Sequence, residues 1–264
     1  MDKDLWHPEW LIPQWPAPIG VHAVCSTRAG GCSRTPYDAL NLGDHVNDAA
    51  HDVAKNRAIF QEALGSNPIF LTQVHSTGVL HLNNHTPPGI IADASLTDQP
   101  GLACTIMVAD CLPVLLTSSH GNWVAAAHAG WRGLAGHDGA GILENTYKHI
   151  CALEPVHCAH IAPEIIAWLG PCVGPLAFEV GGEVRAVFLE HDPLSQSMFN
   201  QTAKDKWLVN LAGLARQRLN AMGIKQIFGN DSTAAWCTFG NPSRFFSHRR
   251  DRISGRFAVS IWRD

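Results

Sequence analysis

The 264-residue sequence has no C-x-x-C pair, which removes zinc ribbons and thioredoxin-type redox sites. It has no G-x-G-x-x-G after a strand, no Walker loop, no G-x-S-x-G elbow and no H-E-x-x-H. The standard nucleotide and hydrolase scaffolds therefore have no support. The deaminase pattern of H-x-E with P-C-x-x-C is also missing. Long apolar runs are absent as well. The most apolar stretch, Leu102 to Leu116, is shorter than a membrane span and carries Asp110 in its middle. The opening residues, Met1 to Pro8, show neither a basic n-region nor an apolar h-region. That predicts a cytoplasmic protein whose 8 cysteines stay reduced. Charge is scarce: Asp, Glu, Lys and Arg make up 16% of the chain and leave a net charge of −4. This balance argues against nucleic acid or a membrane surface as a partner and leaves a small-molecule substrate.

What is abundant is apolar mass, at 46%, together with 15 His and 9 Trp. No linker, low-complexity stretch or repeat divides the chain, so 1–264 is expected to form a single domain, with 1–18 as an extended N-terminal arm. Val21 to Thr27 reads as a strand closed by the turn Arg28-Ala29-Gly30-Gly31. Asp48 to Leu64 reads as a helix that Gly65 stops. Strand character returns at Ile69 to His75 and at Val79 to Leu82. The run Leu102 to Thr117 fits two buried strands around Asp110-Cys111. A further strand, Trp123 to His128, ends in the turn Ala129 to Gly133. Helices are expected at Leu143 to Leu153 and Gly182 to Glu190, with a strand at Ile165 to Leu169. A helical stripe runs from Leu208 to Met222. Ile227 and Phe257 to Ile261 supply late strands. Without a regular βαβ beat, the reading is an α/β domain with mixed sheets.

The residues that invite chemistry lie at strand ends beside Gly-rich turns. His75, Cys111 and His128 offer two imidazoles and a thiolate, a three-ligand set for zinc that leaves a fourth position open. The same trio would also serve as a Cys–His nucleophile pair with a spare histidine. Taken singly, each is an ordinary core residue: a hydrogen-bonded histidine or an inert buried thiol. Asp110 stands inside an apolar run and must find a partner or shift its pKa. Arg28 beside Gly30-Gly31 offers a guanidinium and free amides to an anion, although a solvated turn is the commoner outcome. Arg249, Arg250 and Arg252 read as a surface charge cluster in preference to a phosphate clamp. Trp131 and Phe178 suit core filling or stacking on a ring.

In order along the chain stand Ser26-Thr27-Arg28, Asn41-Leu42-Gly43, Thr72-Gln73-Val74-His75, Ala92-Asp93-Ala94 and Ala109-Asp110-Cys111-Leu112-Pro113. They continue with Ala127 to Gly133, Trp168 to Pro171, Phe178 to Gly181, and Phe246 to Asp251 on to Gly255-Arg256. Together these segments resemble the YfiH-like family, also called the laccase-domain or polyphenol-oxidase-like family, over about Pro13 to Trp262. The resemblance implies a layered α/β/β/α fold with mixed sheets, related to cytotoxic necrotising factor-type domains. It places a metal triad on His75, Cys111 and His128, binding zinc, with copper as the other candidate. It further implies purine nucleoside phosphorolysis, with adenosine deaminase and methylthioadenosine phosphorylase activity. Editing of a UDP-MurNAc-amino-acid cell-wall precursor and phenol oxidation are the alternatives. Under the leading reading Arg28 holds phosphate and Asp110 is the acid/base group, while Asn41, Gln73 and Arg249 contact substrate. A monomer or weak homodimer is expected. The segment His137 to Pro163 is longer than the family pattern and would reshape the pocket rim.

Overall fold

The computed structural model describes residues 6–153 and 162–264. In chain order its elements are β1 (Val21–Cys25), α1 (Ala50–Leu64), β2 (Asn67–Phe70), β3 (Val79–His81) and β4 (Ala94–Thr97). β5 (Leu102–Val108), β6 (Leu112–Ser118), β7 (Val124–Ala129), α2 (Trp131–Ala135) and α3 (Ile142–Leu153) follow. Then come β8 (Ile165–Leu169), β9 (Glu179–Gly181), α4 (Gly182–His191), β10 (Phe199–Ala203) and β11 (Lys206–Val209). The last are α5 (Leu211–Ala221), β12 (Gln226–Gly229), α6 (His248–Asp251) and β13 (Phe257–Arg263).

Two mixed sheets carry the architecture. One runs β1-β13-β5-β2 and the other β12-β8-β6-β7-β4-β3. A small antiparallel sheet, β10-β11-β9, lies apart from both. Strand alternation sorts the side chains into layers. On β5, Leu102, Cys104, Ile106 and Val108 meet Leu115 of β6, Val124 and Ala126 of β7 and Trp168 of β8. These residues form the core between the two sheets. The opposite face of β5, with Ala103 and Met107, packs under α1 through Phe60 and Leu64. On the far side, Val114 and Leu116 of β6 and Ala125 and Ala127 of β7 pack on α3, α4 and α5. The order of layers is helix, sheet, sheet, helices, as the sequence suggested. The strands of the inner layer are buried on both faces, which is why Leu102 to Thr117 reads as a nearly continuous apolar run.

The N-terminal arm is irregular but docked. Trp6 donates its indole N–H to the Ala63 carbonyl at 2.7 Å, and Trp10 stacks near Phe60. Three expected elements are corrected. The strand expected over Ile69 to His75 stops at Phe70, because the amides of Val74, His75 and Ser76 turn to the Asp93 carboxylate instead of a neighbouring strand. The stripe from Leu208 divides: Leu208 lies in β11, and Asn210 caps α5 by accepting from the Gly213 amide at 2.8 Å. The turn expected at Gly130 to Gly133 is the start of α2. The expected insertion at 137–163 lies partly outside the described residues.

Candidate metal centre and its cavity

The site forms where the inter-sheet layer opens at its end. β5 stops at Val108 and β6 starts at Leu112, and the residues between them, Ala109 to Cys111, turn through a left-handed Asp110 with φ 94°. His128 is the penultimate residue of β7, with the same parity as Val124 and Ala126, so its ring faces the gap between the sheets. His75 comes from the turn after β2 and is also left-handed, with φ 61°. Non-glycine residues held there are strained, and two of them flank one site.

These three side chains converge. Their ligating atoms all lie within 4.8 Å of one another, with His75 exposed, Cys111 half-buried and His128 buried. His75 Nε2 is 3.6 Å from Cys111 Sγ. The Nδ1 of His128 sits 2.8 Å from Asp93 Oδ1, and a carboxylate only accepts, so Nδ1 carries the proton and Nε2 is left for the site. The spread is slightly wider than the ~4 Å set by zinc bonds of about 2.0–2.3 Å to nitrogen and sulfur. Gly130 confirms the tightness of the space. A Cβ there would stand 2.9 Å from Cys111 Sγ and 3.0 Å from His75 Cδ2. Two nitrogens and one sulfur around a gap that tolerates no methyl group fit a zinc-sized ion.

The electrostatics match. Burial opposes ionisation of Cys111, but the adjoining His128 imidazolium and hydrogen bonds from both histidines pull its thiol down to about 6. Burial likewise opposes charge on His128, and the Cys111 thiolate and Asp93 outweigh it, raising the imidazole to about 9. Asp93 is buried, yet its bonds to His128 and Ser76 hold it down at about 2. Three other thiols behave oppositely: burial is the largest influence on Cys25, Cys104 and Cys172 and pushes each of them up.

A cavity of about 370 Å³ leads to this cluster. Its walls include Met107, Val108, Trp131, Val173, Phe178 and Leu211, and its mouth carries His45, His248, Arg249, Arg252 and Arg256. The Arg249 guanidinium lies 5.2 Å from the centre of the Phe178 ring. None of these three arginines has a carboxylate partner among the described residues, although Arg250 beside them pairs with Asp251. Burial lowers the pKa of Arg256, a sign that its charge lacks full solvation.

The expected site residues divide. Asp110, Gln73 and Arg249 line the cavity with the triad. Asp110 Oδ1 accepts from Thr238 Oγ1 and Oδ2 from the Arg249 amide, both at 2.6 Å, so the carboxylate fixes the start of α6. The Gln73 amide group is spent on both backbone atoms of Met107. Asn41 is not in the cavity. It is fully buried and bonded to Gly43, Asp48 and the Arg256 amide, which makes it a brace for the loop that carries Arg256. Arg28 is also elsewhere: it pairs with Asp38, donates to the Pro242 carbonyl and covers the Phe246 ring. The arginines at the cavity are those near the C-terminus. Arg256 and Asp93 stand in the matching segments of the sequence, but the role of neither was read there. An acidic residue isolated among Ile90, Ile91, Ala92 and Ala94 was the available signal for the latter.

The chain resembles known proteins over nearly its whole length. Residues 22–264 match a family described as multi-copper polyphenol oxidoreductase laccase. A relative from Escherichia coli K12 named purine nucleoside phosphorylase YfiH is 48% identical over 255 residues, covering 96% of this chain and 98% of the relative. A purine nucleoside phosphorylase from Haemophilus influenzae is 45% identical over 256 residues, covering 96% and 98%. Among solved structures, the Neisseria meningitidis protein NMB0706 superposes with a TM-score of 0.87 at 40% identity, covering 97% of this chain and 99% of that one. The YfiH protein of Bacillus licheniformis gives 0.83 at 28% identity, covering 92% and 93%.

Proposed function

Because the chain belongs to the multi-copper polyphenol oxidoreductase laccase family, with relatives named purine nucleoside phosphorylase, we propose that it is a zinc-dependent purine nucleoside phosphorylase. The observation that carries this reading is the pairing of a His–Cys–His cluster with three arginines that have no carboxylate partner among the described residues, around one cavity. Phosphorolysis joins a phosphate oxygen to C1′ of the sugar and breaks the bond from C1′ to the base nitrogen. The base leaves with the electron pair and takes up a proton. Arg249, Arg252 and Arg256 suit the phosphate, since guanidinium forks match its oxygens. Phe178 and Trp131 offer faces for the purine ring. The apolar wall of Met107, Val108 and Leu211 excludes water from the forming bond.

His75, Cys111 and His128 would hold zinc, which when bound supplies a Lewis acid for the electrons that leave with the base. Both Asp110 oxygens are occupied, so we assign it the placing of Arg249 and the Thr238 loop in preference to proton transfer. Adenosine deamination and methylthioadenosine phosphorolysis are the further activities proposed for this cavity. Multi-copper oxidation fits less well: one His/Cys/His group of metal-binding geometry is present among the described residues.

The reading is tested by giving zinc-loaded protein three substrates in parallel: inosine with phosphate, UDP-MurNAc-L-Ser, and a phenol with oxygen. Formation of hypoxanthine and ribose 1-phosphate, well above the rates on the other two, is expected. Turnover confined to the cell-wall precursor or the phenol would overturn it.

A further inference from the structure

Asp93 holds more of the site together than any other single side chain. It opens the way into β4, is fully buried, and contributes both carboxylate oxygens and its carbonyl to polar contacts. Its Oδ1 accepts from the His75 amide and from His128 Nδ1, each at 2.8 Å. Its Oδ2 accepts from the Ser76 amide at 2.7 Å, the Ser76 hydroxyl at 2.8 Å and the Val74 amide at 3.2 Å. Its carbonyl accepts from the His128 amide at 2.7 Å. One side chain thus closes the left-handed turn that presents His75 and orients the ring of His128.

We propose that Asp93 is the positioning residue for two of the three metal ligands, setting the backbone of His75 and the tautomer of His128 together. This rests on the metal reading of the site and is independent of the substrate. A carboxylate is the one side-chain group that meets both demands. All five side-chain contacts come from donors, and a carboxylate is acceptor-only at both oxygens. An amide of the same shape has one acceptor and one donor end, so it must fail on one side. With its NH2 toward His128, Nδ1 becomes the acceptor and the ring proton moves to Nε2, into the position the ion must take. With its NH2 in the place of Oδ2, the Val74 and Ser76 amides that flank the left-handed His75 face a donor, and the turn that presents His75 loses those two anchors. Either way the placing of one histidine is disturbed while core volume is unchanged. The carboxylate–histidine arrangement of metal sites works by the same restriction on the ring. Here one group applies it to one ligand's ring and to the other's backbone.

The test is zinc affinity by competition with a chromophoric chelator, together with 15N–1H spectra of the histidine rings in zinc-loaded protein. Asp93→Asn is expected to weaken zinc binding by about 10–100-fold, with circular dichroism like that of the parent. Ser76→Ala, which removes one donor and leaves Oδ1 untouched, is expected to stay within about threefold of the parent. In the parent, the His128 ring should be bound through Nε2 with its proton on Nδ1. This last measurement decides the matter even where Asp93→Asn does not fold. Parental affinity in Asp93→Asn, equal losses in both variants, or a His128 ring protonated at Nε2 would each overturn the proposal. A parent protein that binds no zinc would overturn the metal reading itself.

Discussion

Cys111 is the residue on which the chemistry turns. Its thiol is brought to about 6 by its histidine neighbours, whereas burial raises Cys25, Cys104 and Cys172. At neutral pH it is a thiolate, the form that ligates metal. In metal-stripped protein, alkylation of Cys111 followed by peptide mass analysis should therefore rise with a midpoint near pH 6. Losing the proton at lower pH is the sign expected of an acid stabilised by adjacent positive charge. A midpoint near that of an ordinary thiol would contradict the pairing. Exchange of the side chain separates ligand from nucleophile. Cys111→Ser should lose zinc and turnover together, since a hydroxyl is a poor ligand, while Cys111→Asp should keep part of both. Loss of all turnover in Cys111→Asp with zinc fully retained would instead mark Cys111 as a covalent nucleophile.

At the scale of elements, the site is made by chain segments that stop. β5 ends one residue before Ala109, β7 ends one residue past His128, and α2 begins at once after Gly130. Gly130 is the close-approach point, so Gly130→Ala should cost at least tenfold in zinc affinity with little change in unfolding midpoint. The three atoms nearest its methyl all belong to Cys111 and His75. Titration with zinc and a thermal melt on the same sample check both halves. Much of this level was legible beforehand. Buried strands on either side of Asp110-Cys111 show in a run too apolar for a one-faced strand, and β8 shows as Ile165 to Leu169. The turn after Phe70 was illegible because the atoms that end β2 belong to Asp93, distant in sequence. The short strands β9 and β10 hold too few buried positions to give a period. Arg28 drew notice through its neighbouring glycines, yet its charge is answered by Asp38 ten residues on. Of the arginines at the cavity, Arg249 lies in the four-residue α6 and Arg252 and Arg256 in irregular chain, and neither setting is long enough to carry a period.

For the whole molecule, two sheets packed face to face leave one open end, and that end holds both the ligand trio and the arginine-rimmed cavity. No helix among the described residues is long and apolar enough to cross a membrane. Three arginines line the cavity with no carboxylate partner among the described residues, so phosphate bound there should stabilise the folded protein by mass action. The gain is about 2.7 kcal/mol at a hundredfold excess over Kd. Thermal melts in phosphate and in chloride of equal ionic strength should differ, and Arg249→Met should remove most of the difference. Arg28→Met, whose guanidinium is already paired with Asp38, should keep the parent's phosphate effect, and its loss in that variant would contradict this placement.

The most direct measurement is inosine phosphorolysis followed while zinc is returned to metal-stripped protein. Release of hypoxanthine should be absent at the start, rise linearly with zinc and level off at one ion per chain. Turnover that is already complete in the stripped protein, or that stays at zero once one zinc per chain is bound, would contradict a zinc-dependent phosphorylase at His75, Cys111 and His128.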